Sequence, residues 1–155
     1  MTIEEQVVDK LKSRGEHIAF AESCTGGMCC ARLVGVSSAS SVLDMSFVTY
    51  ANDAKIKLIG VDENTIIKYG VVSEQVAAQM AEGVSRTADA QVGVGVTGIA
   101  GPTGDTPDKP VGMVCFGFYT DGEVKTFTKY FGNIGRNNVR RKSCDFVYEI
   151  LNSIL

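Results

Sequence analysis

The run Ile18-Ala19-Phe20-Ala21-Glu22-Ser23-Cys24-Thr25-Gly26-Gly27 decides how this chain is read. A short apolar stretch passes straight into a small polar turn, which predicts a strand end feeding a helix start. Thr25 is placed to cap that helix, and Gly26 and Gly27 lack the side chains that would keep a ligand from the first free backbone N–H groups. Ser23 and Cys24 stand beside those donors, so the turn offers a nucleophile and a place for developing negative charge. On its own such a turn more often means only a capped strand-to-helix connection. What flanks it has to decide.

Upstream, Ile3, Val7 and Leu11 recur at helical spacing and Thr2-x-x-Glu5 forms a capping box, predicting an amphipathic helix that ends at Gly15. Downstream, a helix is expected through about Leu33. The β-branched and aromatic run Ser46 to Ala51 predicts a second strand, and Asn52 is a good N-cap for a helix over 53–59, closed by Gly60. A short helix over 62–69 and a longer one capped by Ser73 follow, then a buried strand over 91–97 in which Val alternates with small residues. The segment from Gly98 to Pro110 has no apolar periodicity and is long for a compact domain, as functional loops often are. Asp121-Gly122 marks a hairpin between strands over 112–120 and 123–131, and a helix from about Gly135 ends the chain.

This order predicts a single three-layer α/β/α domain with a mixed, mainly parallel sheet and a C-terminal hairpin plus helix. In such sheets ligands sit beyond the carboxyl ends of strands. Ser23 follows the first strand, Tyr50 ends the second and Thr97-Gly98 ends the third, so hydroxyls and glycine converge where a site belongs.

Composition narrows the classes. The chain has 155 residues, 45% of them hydrophobic, which suits one compact domain over residues 1–155. A net charge of -3 gives no global attraction to nucleic acid or to an anionic membrane. No apolar run approaches the ~18 residues of a membrane span, and Met1-Thr2-Ile3-Glu4-Glu5 does not resemble a secretory signal. A cytoplasmic protein is expected. Five cysteines, odd in number and without paired C-x-x-C spacing, argue against a disulfide framework or a zinc site. With His17 the only histidine, a metal centre with two or three imidazoles cannot be assembled, and no metal or cofactor is expected.

A serine hydroxyl needs a base. His17 lies six residues before Ser23, which at ~3.3 Å per residue puts it about 20 Å away along the strand. The remaining candidates are Lys55, in the first turn of a helix whose dipole favours the neutral amine, and Tyr50, which can relay a proton or orient the serine. A second constellation is electrostatic. Lys125, Lys129, Arg136, Arg140, Arg141 and Lys142 fall in one segment without Asp or Glu, and Arg136 and Arg140 share a helix face suited to phosphate. No aromatic interleaving or docking motif accompanies these charges, so nucleic acid is not the expected partner.

The segments Ala21-Glu22-Ser23-Cys24-Thr25-Gly26-Gly27, Tyr50-Ala51-Asn52-Asp53-Ala54-Lys55, Val96-Thr97-Gly98-Ile99-Ala100-Gly101-Pro102 and Asp108-Lys109-Pro110-Val111-Gly112, in that order, resemble the CinA C-terminal domain family of competence/damage-inducible proteins. The resemblance implies nicotinamide-nucleotide amidase activity, the hydrolysis of nicotinamide mononucleotide to nicotinic acid mononucleotide and ammonia. It implies Ser23 as nucleophile, Tyr50 and Lys55 as its catalytic partners, and Thr25, Gly26, Gly27, Thr97, Gly98 and Gly101 around the substrate. The family's arginine falls on Arg136 or, because Gly132-Asn133-Ile134-Gly135 is one residue longer than usual, on Arg140. Asp105 stands where the family commonly has glycine. A homo-oligomer is expected, with a dimer favoured. Two other classes stand beside this reading: a non-catalytic nucleotide-binding module, and a competence or DNA-damage-associated interaction module of the same fold.

Overall fold

The computed structural model describes residues 1–155. In chain order the elements are α1 (Ile3–Arg14), β1 (Ile18–Glu22), α2 (Met28–Val34), a 3-10 turn (Ala39–Ser41), β2 (Phe47–Val48), α3 (Asn52–Ile59), α4 (Glu63–Tyr69), α5 (Glu74–Ala88), β3 (Val92–Gly98), β4 (Met113–Thr120), β5 (Glu123–Tyr130) and α6 (Arg136–Ile154). The sheet order is β2-β1-β3-β4-β5. β1 pairs in parallel with both β2 and β3, while β4 runs antiparallel between β3 and β5. All strands but β4 therefore point the same way, and the mixed three-layer α/β/α domain expected from the sequence is the one observed. Glu22 pairs with Val96, which sets the turn after β1 beside Thr97 and Gly98 at the end of β3.

Alternation along the strands divides the core between the two faces. Ile18 and Phe20 join Val94, Val96, Phe116 and Leu151 under α1, α2 and α6. Ala19 and Ala21 face the other way, toward Ile59, Val76, Met80 and Val84 of α3 and α5. Each fully buried large apolar side chain contributes about 1.5–3 kcal/mol by leaving water. The small residues that alternate with valine in β3 have a specific use. A Cβ on Gly95 would lie 2.5 Å from the Ala77 carbonyl oxygen, and one on Gly93 or on Gly117 of β4 would lie even closer to the α5 backbone. Glycine on this face gives α5 a flat bed, while Val92, Val94 and Val96 fill the opposite core.

Local signals are obeyed at most boundaries. Thr2 and Glu5 make the reciprocal capping box, Ser73 accepts from the Val76 N–H, and Asp121 and Gly122 adopt the positive φ values of 53° and 79° that a tight hairpin demands. Three boundaries differ. The second strand is only Phe47–Val48, so Tyr50 stands beyond its end, and α3 starts at Asn52 with Ala51 in the cap position. Helix α2 begins at Met28, not at the turn, and Gly27 is its N-cap without any side-chain bond. Thr25 caps nothing; its buried hydroxyl has no partner. The first turn of α2 is capped by Glu22 instead.

Candidate active site

Glu22, the last residue of β1, is buried, and its carboxylate accepts from the N–H groups of Cys29 at 2.9 Å and Cys30 at 3.0 Å. An internal anion thus satisfies the first turn of α2, where negative charge is electrostatically favoured. The Ser23–Gly27 turn hangs between this anchor and the strand. Ser23 donates its N–H to the Val96 carbonyl at 3.0 Å, and Gly26 donates to the Ser23 carbonyl at 3.0 Å. The Gly26 N–H expected to face a ligand is therefore spent inside the turn. No protein oxygen accepts from the N–H groups of Cys24, Thr25 or Gly27, which leaves those three as donors.

Lys55 reaches this turn from α3. Its side chain is fully buried, and Nζ lies 3.1 Å from Ser23 Oγ, 2.6 Å from the Thr49 carbonyl oxygen and 3.3 Å from the Tyr50 carbonyl oxygen. Burial pushes the amine down to about 8, so desolvation rather than the helix dipole is what favours the neutral form. A neutral amine has two hydrogens and one lone pair. As the ammonium, Lys55 donates to Ser23 Oγ and to both carbonyls; once it is neutral and the two carbonyls take its hydrogens, the lone pair is left to accept the Ser23 proton. The neighbouring nucleophile is disabled by the same physics: burial pushes the Cys24 thiol up to about 12, which keeps it protonated at neutral pH.

Tyr50 does not sit on the serine. Its ring is 61% exposed, and its hydroxyl accepts from Arg136 Nη2 at 3.0 Å, while Arg136 Nη1 donates to the Gly101 carbonyl at 2.9 Å. Ser23, Cys24, Tyr50 and Arg136 line one cleft of about 250 Å³ with Gly98 and the loop that follows it. Arg136 is the only charged residue in that lining, so the cleft favours an anion. Arg140 is not part of it. It donates from Nε to the Cys24 carbonyl at 2.9 Å and from Nη2 to the Thr25 carbonyl at 3.1 Å, gripping the turn from behind. Of the two arginines, Arg136 thus lines the cleft and Arg140 holds the turn.

The other expected residues divide in the same way. Thr97 is buried and donates to the Val71 carbonyl at 3.0 Å, fixing the cleft wall instead of facing the cavity. Gly101 holds Arg136 through its carbonyl; a Cβ there would run into Val111. Asp105 lies exposed in the loop and away from the cleft lining. Six further lining groups, Val71, Val72, Ile99, Ala100, Thr103 and Gly104, were missed. The long loop was the available signal for the last four, while nothing in the sequence singled out the two valines between α4 and α5. His17 pairs with Asp44 at 2.7 Å, just before β1 begins.

A larger hollow of about 460 Å³ lies across Val72 from the cleft, but its charges are already engaged. Glu74 accepts from Thr126 and Thr128 at 2.6 Å, and Lys109 donates to the Tyr69 and Val72 carbonyls at 2.5 Å. Glu22, Cys29 and Cys144 bring a carboxylate and two sulfurs within 4.8 Å of one another. Both carboxylate oxygens already serve the α2 N–H groups, so a cation there would have to displace the helix cap.

The model of the CinA C-terminal domain family matches residues 1–155. The chain belongs to the CinA C-terminal domain family. A CinA-like protein from Kosmotoga olearia is 40% identical over 154 residues, covering 99% of this chain and 37% of that relative. One from Anaeromyxobacter dehalogenans is 47% identical over 147 residues, covering 94% of this chain and 35% of the relative. The chain thus spans little more than a third of these curated CinA relatives. Among solved structures, the competence/damage inducible protein CihA from Agrobacterium tumefaciens superposes with a TM-score of 0.92 at 38% identity, covering 97% of this chain and 94% of that one. A CinA superfamily protein from Escherichia coli superposes at 0.94 with 31% identity, covering 99% and 91%. No helix of this CinA-family chain is long and apolar enough to cross a membrane.

Proposed function

We propose that this chain is a serine-lysine amidohydrolase that converts nicotinamide mononucleotide and water to nicotinic acid mononucleotide and ammonia. The observation that carries the proposal is the 3.1 Å approach of a buried, depressed amine to Ser23 Oγ at the floor of a cleft whose only charged lining residue is an arginine. The substrate itself comes from the family resemblance. The cleft supports it by offering a hydroxyl nucleophile at one place and a phosphate-seeking guanidinium at another.

In the proposed cycle Ser23 Oγ attacks the carboxamide carbon while its proton passes to Lys55 Nζ. The N–H groups of Thr25 and Gly27 hold the resulting oxyanion; one such donor is worth about 3–4 kcal/mol. Collapse breaks the C–N bond, and the Lys55 ammonium returns the proton to the leaving nitrogen, which departs as ammonia. Water then adds to the nicotinoyl ester, giving its proton to Lys55, and the Ser23 oxygen leaves and takes that proton back. Arg136 binds the phosphate with Tyr50 beside it, so that remote binding energy positions the amide.

The test is ammonia release from nicotinamide mononucleotide by the purified chain without added metal. Stoichiometric ammonia and nicotinic acid mononucleotide support the reading. Saturable binding of the mononucleotide with no ammonia would select a nucleotide-binding module in its place. Activity that a chelator removes and zinc restores would overturn the amine-base mechanism.

A further inference from the structure

The grip of Arg140 on the nucleophile turn has a directional consequence. The Cys24–Thr25 peptide is trans, so the Thr25 N–H points opposite to the Cys24 carbonyl that Arg140 Nε holds at 2.9 Å. That N–H is also one of the three in the turn, with those of Cys24 and Gly27, that no protein oxygen accepts from. The same guanidinium holds the next carbonyl, that of Thr25, at 3.1 Å, so two successive peptide planes are fixed by one planar fork. Asn137 Oδ1 accepts from Nη1 at 3.0 Å and orients the fork. The turn passes close to the fork at its next residue: Gly26 has φ +59°, which favours glycine, and a Cβ there would meet Arg140 Nη2 at a tight 3.3 Å.

We infer that Arg140 is a positioning residue for catalysis: by holding the Cys24 and Thr25 carbonyls it aims and polarises the Thr25 N–H as an oxyanion donor, without touching substrate. A cation on a peptide carbonyl draws electron density from the amide, which makes the N–H on the same peptide a stronger donor. The inference rests on the serine-hydrolase reading of the cleft. It separates the two arginines by task, since Arg136 faces the cleft and Arg140 faces the back of the turn.

The experiment compares wild type, Arg140→Gln and Arg140→Lys in ammonia release, and in the rate at which a fluorophosphonate labels Ser23. The second assay needs an oxyanion site but no knowledge of the substrate. For Arg140→Gln, kcat and the labelling rate should fall together by about 10- to 100-fold, less than loss of a whole donor, with KM within about twofold. Arg140→Lys should recover little, because a point charge cannot hold two carbonyls as a fork does. Low millimolar guanidinium ion should restore part of the Arg140→Gln rate, where urea at the same concentration does not. Unchanged kcat and labelling in Arg140→Gln would overturn the inference alone, as would a raised KM at normal kcat, which would put Arg140 on the substrate. Failure of guanidinium rescue with a lowered melting temperature would reduce Arg140 to a structural residue. Wild type that neither releases ammonia nor labels at Ser23 would overturn the parent reading and this inference together.

Discussion

The Lys55 amine and the Ser23 hydroxyl meet at 3.1 Å although 32 positions separate them in the chain, because α3 sends its fourth residue inward beneath the end of β1. No imidazole comes near them; the only one is held by Asp44. Removing the hydroxyl should therefore remove the covalent route. Ser23→Ala is expected to lower kcat by at least ~10³-fold with binding retained, since the oxyanion donors survive. Cys24→Ala should change kcat little and iodoacetamide should act slowly. Rapid inactivation that Cys24→Ala abolishes, with a nicotinoyl adduct found on Cys24, would move the chemistry to the thiol.

The pH profile reports on the base. Only neutral Lys55 can accept the serine proton, so kcat/KM should rise with a slope of one below about pH 8 and level off above it. Lys55→Arg keeps the charge but cannot deprotonate, and turnover should be lost. A flat profile between pH 6 and 9, or an active arginine variant, would make Lys55 structural.

The same burial has a thermodynamic sign. Because the folded state holds the Lys55 pKa below its unfolded value of about 10.5, folding disfavours the protonated amine. The resulting destabilisation is full below pH 8 and fades as pH rises toward 10.5. Lys55→Met should accordingly stabilise the fold by on the order of 1–2 kcal/mol at pH 7 while abolishing activity. The advantage should shrink as pH increases. Denaturant unfolding at pH 7 and pH 10 checks this, and a variant less stable at both would contradict it.

Arg136→Ala removes the only charge in the cleft lining. KM for nicotinamide mononucleotide should rise at least tenfold, with little change for residual activity on nicotinamide riboside, which has no phosphate. Equal losses on both substrates would take Arg136 off the phosphate.

Gly95→Ala tests the packing of α5, since the added methyl would lie 2.5 Å from the Ala77 carbonyl oxygen. Backbone on both sides cannot yield cheaply, and a loss on the order of 3 kcal/mol is expected in chemical denaturation. A loss below about 0.5 kcal/mol would mean that the sheet and helix separate more readily than their contact implies.

Much of this was legible in the sequence because it depends on local rules. Caps at Thr2 and Ser73, the Asp121-Gly122 hairpin and the alternation of valine with glycine in β3 each follow from backbone sterics or strand periodicity. Ser23, Lys55 and Arg136 could be singled out because strand ends and helix starts gather at one edge of an α/β sheet. What escaped depends on depth and direction. A carboxylate such as Glu22 normally marks surface, and only the fold shows it buried beneath α2. Arg136 was the favoured phosphate ligand with Arg140, one helical turn on, as its rival, and only the fold shows that Arg136 reaches Gly101 and Tyr50 while Arg140 holds the turn. Tyr50 was expected to finish a strand beside the serine, but the strand stops at Val48 and the ring swings out to Arg136.

The bed of glycines beneath α5 reaches further than stability. Val71 and Val72, which form one wall of the cleft, belong to the link that enters α5, and the height of that helix above the sheet is set by Gly93, Gly95 and Gly117. Cavity width is thereby tuned from the interior, by atoms that are missing. Adapting the pocket to a bulkier ring need not begin among the residues that touch it; a lineage could widen the mouth by adding a methyl group to a strand no ligand ever meets.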